Sequence, residues 1–455
     1  MNPLKVFLKV RKSELPLAML MSAYFLVIMT IFWILKPLKK TLFIQRYDNE
    51  AGFELFSTTF DAAQAELLAK GLNIVAAIAA VAVFTWLARR FHRQILTFIF
   101  TIFCVASFVF YAFSLQSPQT STIWSFYLFG DLFSVIMVTT FFAFLNDSVS
   151  PSAATRMYGL VVLGGVSGGA LGSMGLYSRI DTIPIQSWLW VCTGLGVLIL
   201  LIAYVAGRIV DNHPEFALDD RAPESDPPPL QPSSRNPFVE SSKLVFKSKY
   251  LLSIASIVFL YEIVSTCMDF QFTSTIAHYL DGPDLGDQFS LVFAITNVTA
   301  LCVQILLTST ILTGAGVGFA LLVTPALALC GSAGFMMFPI LWAGSLLNTL
   351  DNGFNYSINQ SAKEALYVPL RKDEKYKGKA FIDMFVQRFA KGVAILVTLV
   401  ITQQFADFTD LRWISIFSAC VIALWIVAAI FAGRRYRTLA AEKEAEHASR
   451  RSGTA

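Results

Sequence analysis

Lys36, Lys39 and Lys40 close an apolar run in "ILKPLKKTLFI", residues 34–44. At i, i+3 and i+4 they share one helical face, and ammonium groups gathered on one face suit an anion, phosphate above all. The same spacing fits lysines snorkelling to the membrane interface from a helix end frayed at Pro37. Other charges fall inside or at the edges of apolar stretches: Lys70, Asp131, Glu262, Asp269, Asp383, Arg388 and Lys391. A charge in hydrocarbon costs roughly 3 kcal/mol even on mild insertion scales, so such residues face a cavity or a partner. We take Lys36, Lys39, Lys70, Arg388 and Lys391 as candidate anion ligands, and Asp131, Asp269 and Asp383 as the acids that hold those cations when no anion is bound. An ion pair across helices is the structural alternative for Asp131. Asn348, Asn352, Asn355 and Asn359 recur at helical spacing, and a polar stripe on a membrane helix lines water, substrate or another helix. Asn352 and Asn355 join the candidate ligands, and of the lysine trio Lys36 and Lys39 are expected to project into a central cavity while Lys40 lies nearer the outer rim.

The elements that position these residues follow from composition. The 455 residues are 55% hydrophobic and 15% charged, with 40 phenylalanines, outside the range of a soluble domain. Apolar stretches long enough to cross about 30 Å of hydrocarbon as helix recur along the whole chain. Twelve are expected, near 16–37, 71–88, 94–114, 122–145, 157–177, 184–207, 250–276, 286–309, 311–331, 333–353, 381–402 and 412–433. The fold class is thus an all-α integral membrane protein of about twelve transmembrane helices. No cleavage site follows the first stretch, and no removable signal peptide is read there.

A proline- and charge-rich connector near the middle reads as a flexible linker, 208–249, between an N-terminal half, 1–207, and a C-terminal half, 250–433, with a tail at 434–455. Six spans on either side match the plan of the major facilitator superfamily, whose halves rock about a central site. Basic residues gather in the N-terminus, "RRFHR", the linker, the 363–379 loop and the tail, which places both termini in the cytoplasm. The Lys36–Lys40 group, Arg46 and Lys70 break this rule. Gly164, Gly168 and Gly172 at four-residue intervals read as a helix-packing stripe, not a phosphate loop. The six cysteines read as reduced packing residues, and neither a metal cluster, a cofactor motif nor a nucleophilic triad is present, so an enzyme is not expected.

The segment "NYSINQSAKEALYVPLRKDEKYKGKAFIDMFVQRFAKG", 355–392, resembles the signature of the ATP/ADP translocase family of bacterial and plastid nucleotide transporters. The match runs nearly ungapped through Tyr356, Ser357, Lys363, Glu364, Tyr367, Pro369, Lys375, Lys377, Gly378, Lys379, Asp383, Arg388 and Lys391. "ILKPLKKTL" is similar to the family's segment at the end of span 1, "AELLAK" to one before span 2, and "GDLFSVIMVTTFFAFLND" to its span 4, with Asp131 where the family has Glu. The resemblance implies a carrier of a nucleotide or related phosphorylated anion, exchanging by alternating access, functional as a monomer in a lipid bilayer, in a bacterial inner membrane. Neither a cofactor nor nucleic acid is implied. Tyr261, Phe272 or Tyr356 would stack a base. Ala153, Asn355, Thr273 and Thr275 stand where the family carries charged residues, which keeps a carrier of another organic anion as the alternative. A non-transporting scaffold would lack the asparagine stripe. The basic run "RKDEKYKGK" is expected as a surface turn.

Overall fold

The computed structural model describes residues 11, 13–49, 52–55, 58–88, 90–212, 237–308, 310–370, 372–405 and 407–452. Residues 213–236 of the linker expected over 208–249, with Lys5, Lys9 and Lys12, lie outside the described residues. Among the described residues, eleven helices are long and apolar enough to cross a membrane. The chain forms two compact units, residues 1–225 with 279–301, and 226–278 with 302–455.

The first unit contains α1 (Leu15–Asn49), α2 (Ala62–Ala88), α3 (Arg93–Ser114), α4 (Thr120–Ser148), α5 (Pro151–Tyr177) and α6 (Ile185–Asn212). Most of α9 (Pro283–Cys302) packs with them. Pro37 does not fray α1, which continues through it for another twelve residues to Asn49. The lysine trio therefore sits within the helix and not at its end, and the snorkelling geometry is lost. A ribbon unforeseen in the sequence follows α1: β1 (Phe53–Leu55) pairs antiparallel with β2 (Thr58–Phe60), Phe53 opposite Phe60. Gly52 opens it at a φ of 110°, a left-handed conformation that a side chain disfavours.

The glycine stripe packs α5 against α1, as its spacing predicts. A Cβ on Gly164, Gly168 or Gly172 would run into the main-chain oxygens of Ser22, Leu26 and Thr30. The two backbones come close enough for hydroxyls to bridge them: Ser22 Oγ donates to Leu160 O at 2.9 Å and Thr30 Oγ1 to Gly168 O at 3.2 Å. Helix α5 begins on Ser150, whose side chain accepts from the Ala153 N–H, with Pro151 at the first helical position.

The second unit contains α7 (Pro237–Lys247), α8 (Lys249–Tyr279), α10 (Gly316–Met337), α11 (Leu341–Phe354), α12 (Gln360–Leu366), α13 (Lys372–Phe381), α14 (Gln387–Thr402) and α15 (Arg412–Ser452). The expected tenth span begins later than read, at Leu341, and reaches Leu366 only through a wide π turn, Asn355–Asn359, that joins α11 to α12. A second π turn, Ile382–Val386, joins α13 to α14. Helices α10 and α15 meet at two glycines, where a Cβ on Gly433 would come within 2.9 Å of Gly318 Cα. The basic run is helical and not a turn: in α13, Lys377 Nζ lies 2.8 Å from Glu240 of α7, and Lys379 Nζ 2.6 Å from Glu364. The last part of the expected linker is likewise ordered as α7. All six cysteines are free thiols; Cys104, Cys192 and Cys267 are buried packing residues, while Cys302, Cys330 and Cys420 face outward.

The glycine contact gives a stability prediction. Gly168→Ala should lower the thermal midpoint of the detergent-solubilised protein, by the equivalent of about 2 kcal/mol, because neither backbone can retreat. Gly175→Ala, whose Cβ meets nothing within 4 Å, should leave it unchanged or raise it slightly.

Candidate functional site

In the first unit the lysines of α1 meet acids from α2 and α4. Lys39 is buried, and its ammonium forms an ion pair with Asp131 on α4, whose side chain keeps 38% of its surface exposed. The Asn73 amide donates to the other Asp131 oxygen, and Lys39 Nζ stands 4.3 Å from the centre of the Tyr127 ring. Gly130, next to Asp131, leaves the space through which the Lys39 methylenes pass.

One turn away Glu66, only 1% exposed, gathers a second group. It accepts from Tyr127 Oη at 2.5 Å and lies 2.7 Å from Lys70 and 3.8 Å from Lys40. Lys40, expected towards the outer rim, is instead as buried as Lys39. Its neighbour on the far side is Phe289 of α9, 5.4 Å away. The Lys36 ammonium lies over Trp33 at 4.5 Å and Phe293 at 4.7 Å. The trio thus shares one face but three environments: Lys36 on aromatic rings, Lys39 on a half-exposed aspartate, Lys40 beside a buried glutamate.

The second unit brings together a different set. Asn348 Nδ2 donates to Asp269 Oδ1 at 3.4 Å, Asn352 turns back to the Asn348 carbonyl, and Asn359 donates to Asn355 Oδ1 at 2.8 Å. The stripe is real, and half-buried Asn352 and Asn355 lie on it. Glu262 on α8 accepts from Gln387 at 2.6 Å and lies 3.9 Å from Lys391, both on α14. Arg388, half-buried, shares the Lys391 face at i, i+3. Asp383 is exposed on the π turn before α14, near Lys379 and Lys363 and not beside Lys391. Of the aromatic candidates, Phe272 is fully buried, Tyr261 packs edge-on against Trp425 under Lys363, and Tyr356 is 44% exposed.

Sequence reasoning passed over Glu66, Tyr127, Asn73, Asp351 and Gln387. Glu66 had a signal, since it stands four residues before Lys70, the favoured order for a helical ion pair. The others contact residues 58 to 125 positions away, which no local pattern reveals.

The fold and the sequence both have counterparts. Among solved structures, the nucleoside transporter NupG covers 91% of this chain and 99% of its own at a TM-score of 0.59 and 12% identity. A POT family transporter in complex with 5-aminolevulinic acid gives 0.61 at 9% identity, over 91% of this chain and 96% of its own. These likenesses show a major facilitator-like transporter fold. ADP,ATP carrier protein 1 of the Arabidopsis thaliana chloroplast is 23% identical over 361 residues, 71% of this chain and 56% of its own length. ADP,ATP carrier protein 1 of Chlamydia muridarum is 23% identical over 364 residues, 71% of this chain and 66% of its own. The chain thus spans less than two thirds of the length of these relatives. The model of the TLC ATP/ADP transporter family matches residues 117–343 and 337–436, well over half of the chain and including Asp131, the asparagine stripe, Arg388 and Lys391. This multi-pass membrane protein therefore belongs to the TLC ATP/ADP transporter family, a family of carriers and not of enzymes.

Proposed function

We propose that the chain carries a nucleotide or related phosphorylated anion across a bacterial inner membrane, by alternating access and in exchange, as a monomer with both termini cytoplasmic. The relatives' names and the family support the substrate class. The observation that carries the reading is the Lys39–Asp131 pair. A buried lysine held by a half-exposed carboxylate can trade one anion for another: an arriving phosphate takes the ammonium, and Asp131 swings towards water with Asn73. The charge around Lys39 changes little in that trade, which keeps its barrier low. Lys36, whose ammonium lies over the Trp33 and Phe293 rings, supplies a second cation.

One observation favours another organic anion. Thr273 and Thr275, where the family has lysines, are buried and turn their hydroxyls back onto their own helix, to Asp269 O and Gln271 O at 2.8 and 2.6 Å. No cation stands at those two positions, and a ligand with fewer phosphates than ATP asks for fewer cations. Uptake into proteoliposomes of a labelled panel (ATP, ADP, other nucleotides, nucleosides and phosphorylated metabolites) separates the readings: saturable ATP or ADP uptake with counterflow supports the first, and its absence beside uptake of another anion supports the second.

Losing one charge-assisted contact to the substrate costs about 2 kcal/mol, roughly thirtyfold in affinity. Lys36→Gln and Lys39→Gln should each raise the half-saturation concentration by that factor, whereas Lys375→Gln on α13 should not. Lys40 is no surface control, since its removal leaves buried Glu66 short of a cation. Stability should show the asymmetry of the pair: Asp131→Asn strands a buried ammonium and should cost about 3 kcal/mol, while Lys39→Gln leaves an aspartate that reaches water and should cost less. Thermal unfolding of the two variants in detergent checks this.

A further inference from the structure

Asp351 on α11 is the buried acid that the anion chemistry leaves unused. It is 3% exposed, and its Oδ2 accepts from Ser265 Oγ of α8 at 2.6 Å, with the Tyr261 hydroxyl also beside it. The other buried carboxylates of the described residues each stand near a cation: Glu14 pairs with Arg156, Glu66 lies 2.7 Å from Lys70, and Glu262 lies 3.9 Å from Lys391. Asp351 makes no ion pair among the described residues. Charged and titratable groups face it from three elements: Tyr261, Glu262 and Asp269 on α8, Tyr356 and Lys363 further along its own helical stretch, and Lys391 of α14 beyond Glu262 and Tyr356. The acids among them oppose a negative charge on Asp351, and the hydroxyls of Ser265 and Tyr261 neutralise none of it. One turn earlier on α11, Asn348 is 1% exposed and aimed at Asp269, and its Oδ1 has no hydrogen-bond partner, which leaves one buried acceptor without a donor.

A site with a spare acceptor and a carboxylate that no cation pairs directly calls for a positive ligand. A metal ion would need several oxygens or sulfurs converging, and no group of three His, Cys, Asp or Glu among the described residues is placed to hold one. A proton needs only the carboxylate and a neighbour that can reverse its hydrogen bond. A serine hydroxyl does so, donating to the carboxylate and accepting from the carboxylic acid.

We propose that Asp351 is a proton-binding site, taking up one proton in each transport cycle, so that a proton moves with the anionic substrate. The proton adds to a carboxylate oxygen when an anion reaches Lys391 of the same unit, because added negative charge favours the neutral acid, and it leaves again when the anion departs on the other side. This rests on the carrier reading above but not on the identity of the anion.

Two measurements on the full chain test it. In proteoliposomes with ATP as the probe, an inward proton gradient should stimulate wild-type uptake several-fold and a sodium gradient should not; Asp351→Asn, which keeps a side chain that Ser265 can bond, should lose the response. On the purified protein, infrared difference spectra between acid and alkaline pH should show the carbonyl stretch of a buried carboxylic acid. That band should vanish in Asp351→Asn and shift in Ser265→Ala, which lacks the bonded hydroxyl. The proposal falls if the band persists in Asp351→Asn, if that variant keeps the wild-type response to the proton gradient, or if sodium replaces the gradient. A wild-type chain that moves no ATP yet loses the band in Asp351→Asn overturns the substrate reading and upholds the proton site.

Discussion

An ammonium ion enclosed by hydrocarbon must find an anion or give up its charge, and α1 encloses three lysines within five residues. Desolvating each costs several kcal/mol, more than any single packing contact returns. Much of the first unit is arranged around meeting that demand. Asp131 on α4 and Glu66 on α2 lie on the two helices that flank the lysine face, Tyr127 stands between the two acids, and Phe289 and Phe293 of α9 offer ring faces to Lys40 and Lys36. Glu66, with Lys40, Lys70 and Tyr127 on it and almost no exposure, reads as fixed; Asp131, more than a third exposed, is the acid with somewhere to go.

That distinction depends on packing far from the lysines. The α5 glycines let α5 approach α1 until serine and threonine hydroxyls bond across the gap, and this seats the lower half of α1 as one rigid element. Asn297 of α9 extends the seam, its amide donating to the Phe293 carbonyl at 2.9 Å and lying 3.4 Å from Ser173 of α5. A helix held so closely on one side presents its lysines on the other at defined depth. Pro37 fits this arrangement: it removes one backbone donor from the lysine turn, where side-chain and neighbouring helices already supply polar partners, and the helix carries on.

Much of this was legible in the chain. Hydropathy locates the spans because a helix is one of the few ways to satisfy backbone groups in lipid, and the i, i+4 glycines announce a close helix pair because little else calls for them. The lysine face and the asparagine stripe were also readable, being local periodicities. What escaped reading was pairing at long range. Nothing around Glu66 says that Tyr127, 61 residues on, will donate to it, and nothing around Asp351 says that Ser265 will. Lys40 was misplaced for the same reason: helical geometry gives its direction within α1, but its burial is decided by α2 and α9. The break at Asn355–Asn359 escaped too, since a π turn differs from an α turn by one residue of register, which composition does not record.

The π turns mark where the two units part in character. In the first unit the described spans run as regular helix, and Lys39, Lys40 and Lys70 are gathered on two acids, Asp131 and Glu66. In the second, wide turns interrupt the helices that carry the asparagine stripe and the approach to Arg388 and Lys391, and the buried groups are acids, amides and hydroxyls with acceptors to spare. A π turn leaves a carbonyl less firmly bonded and gives the helix a place to bend. Each unit thus meets its buried polar groups in its own way: the first holds its cations on continuous helix, and the second sets bendable backbone beside its spare acceptors.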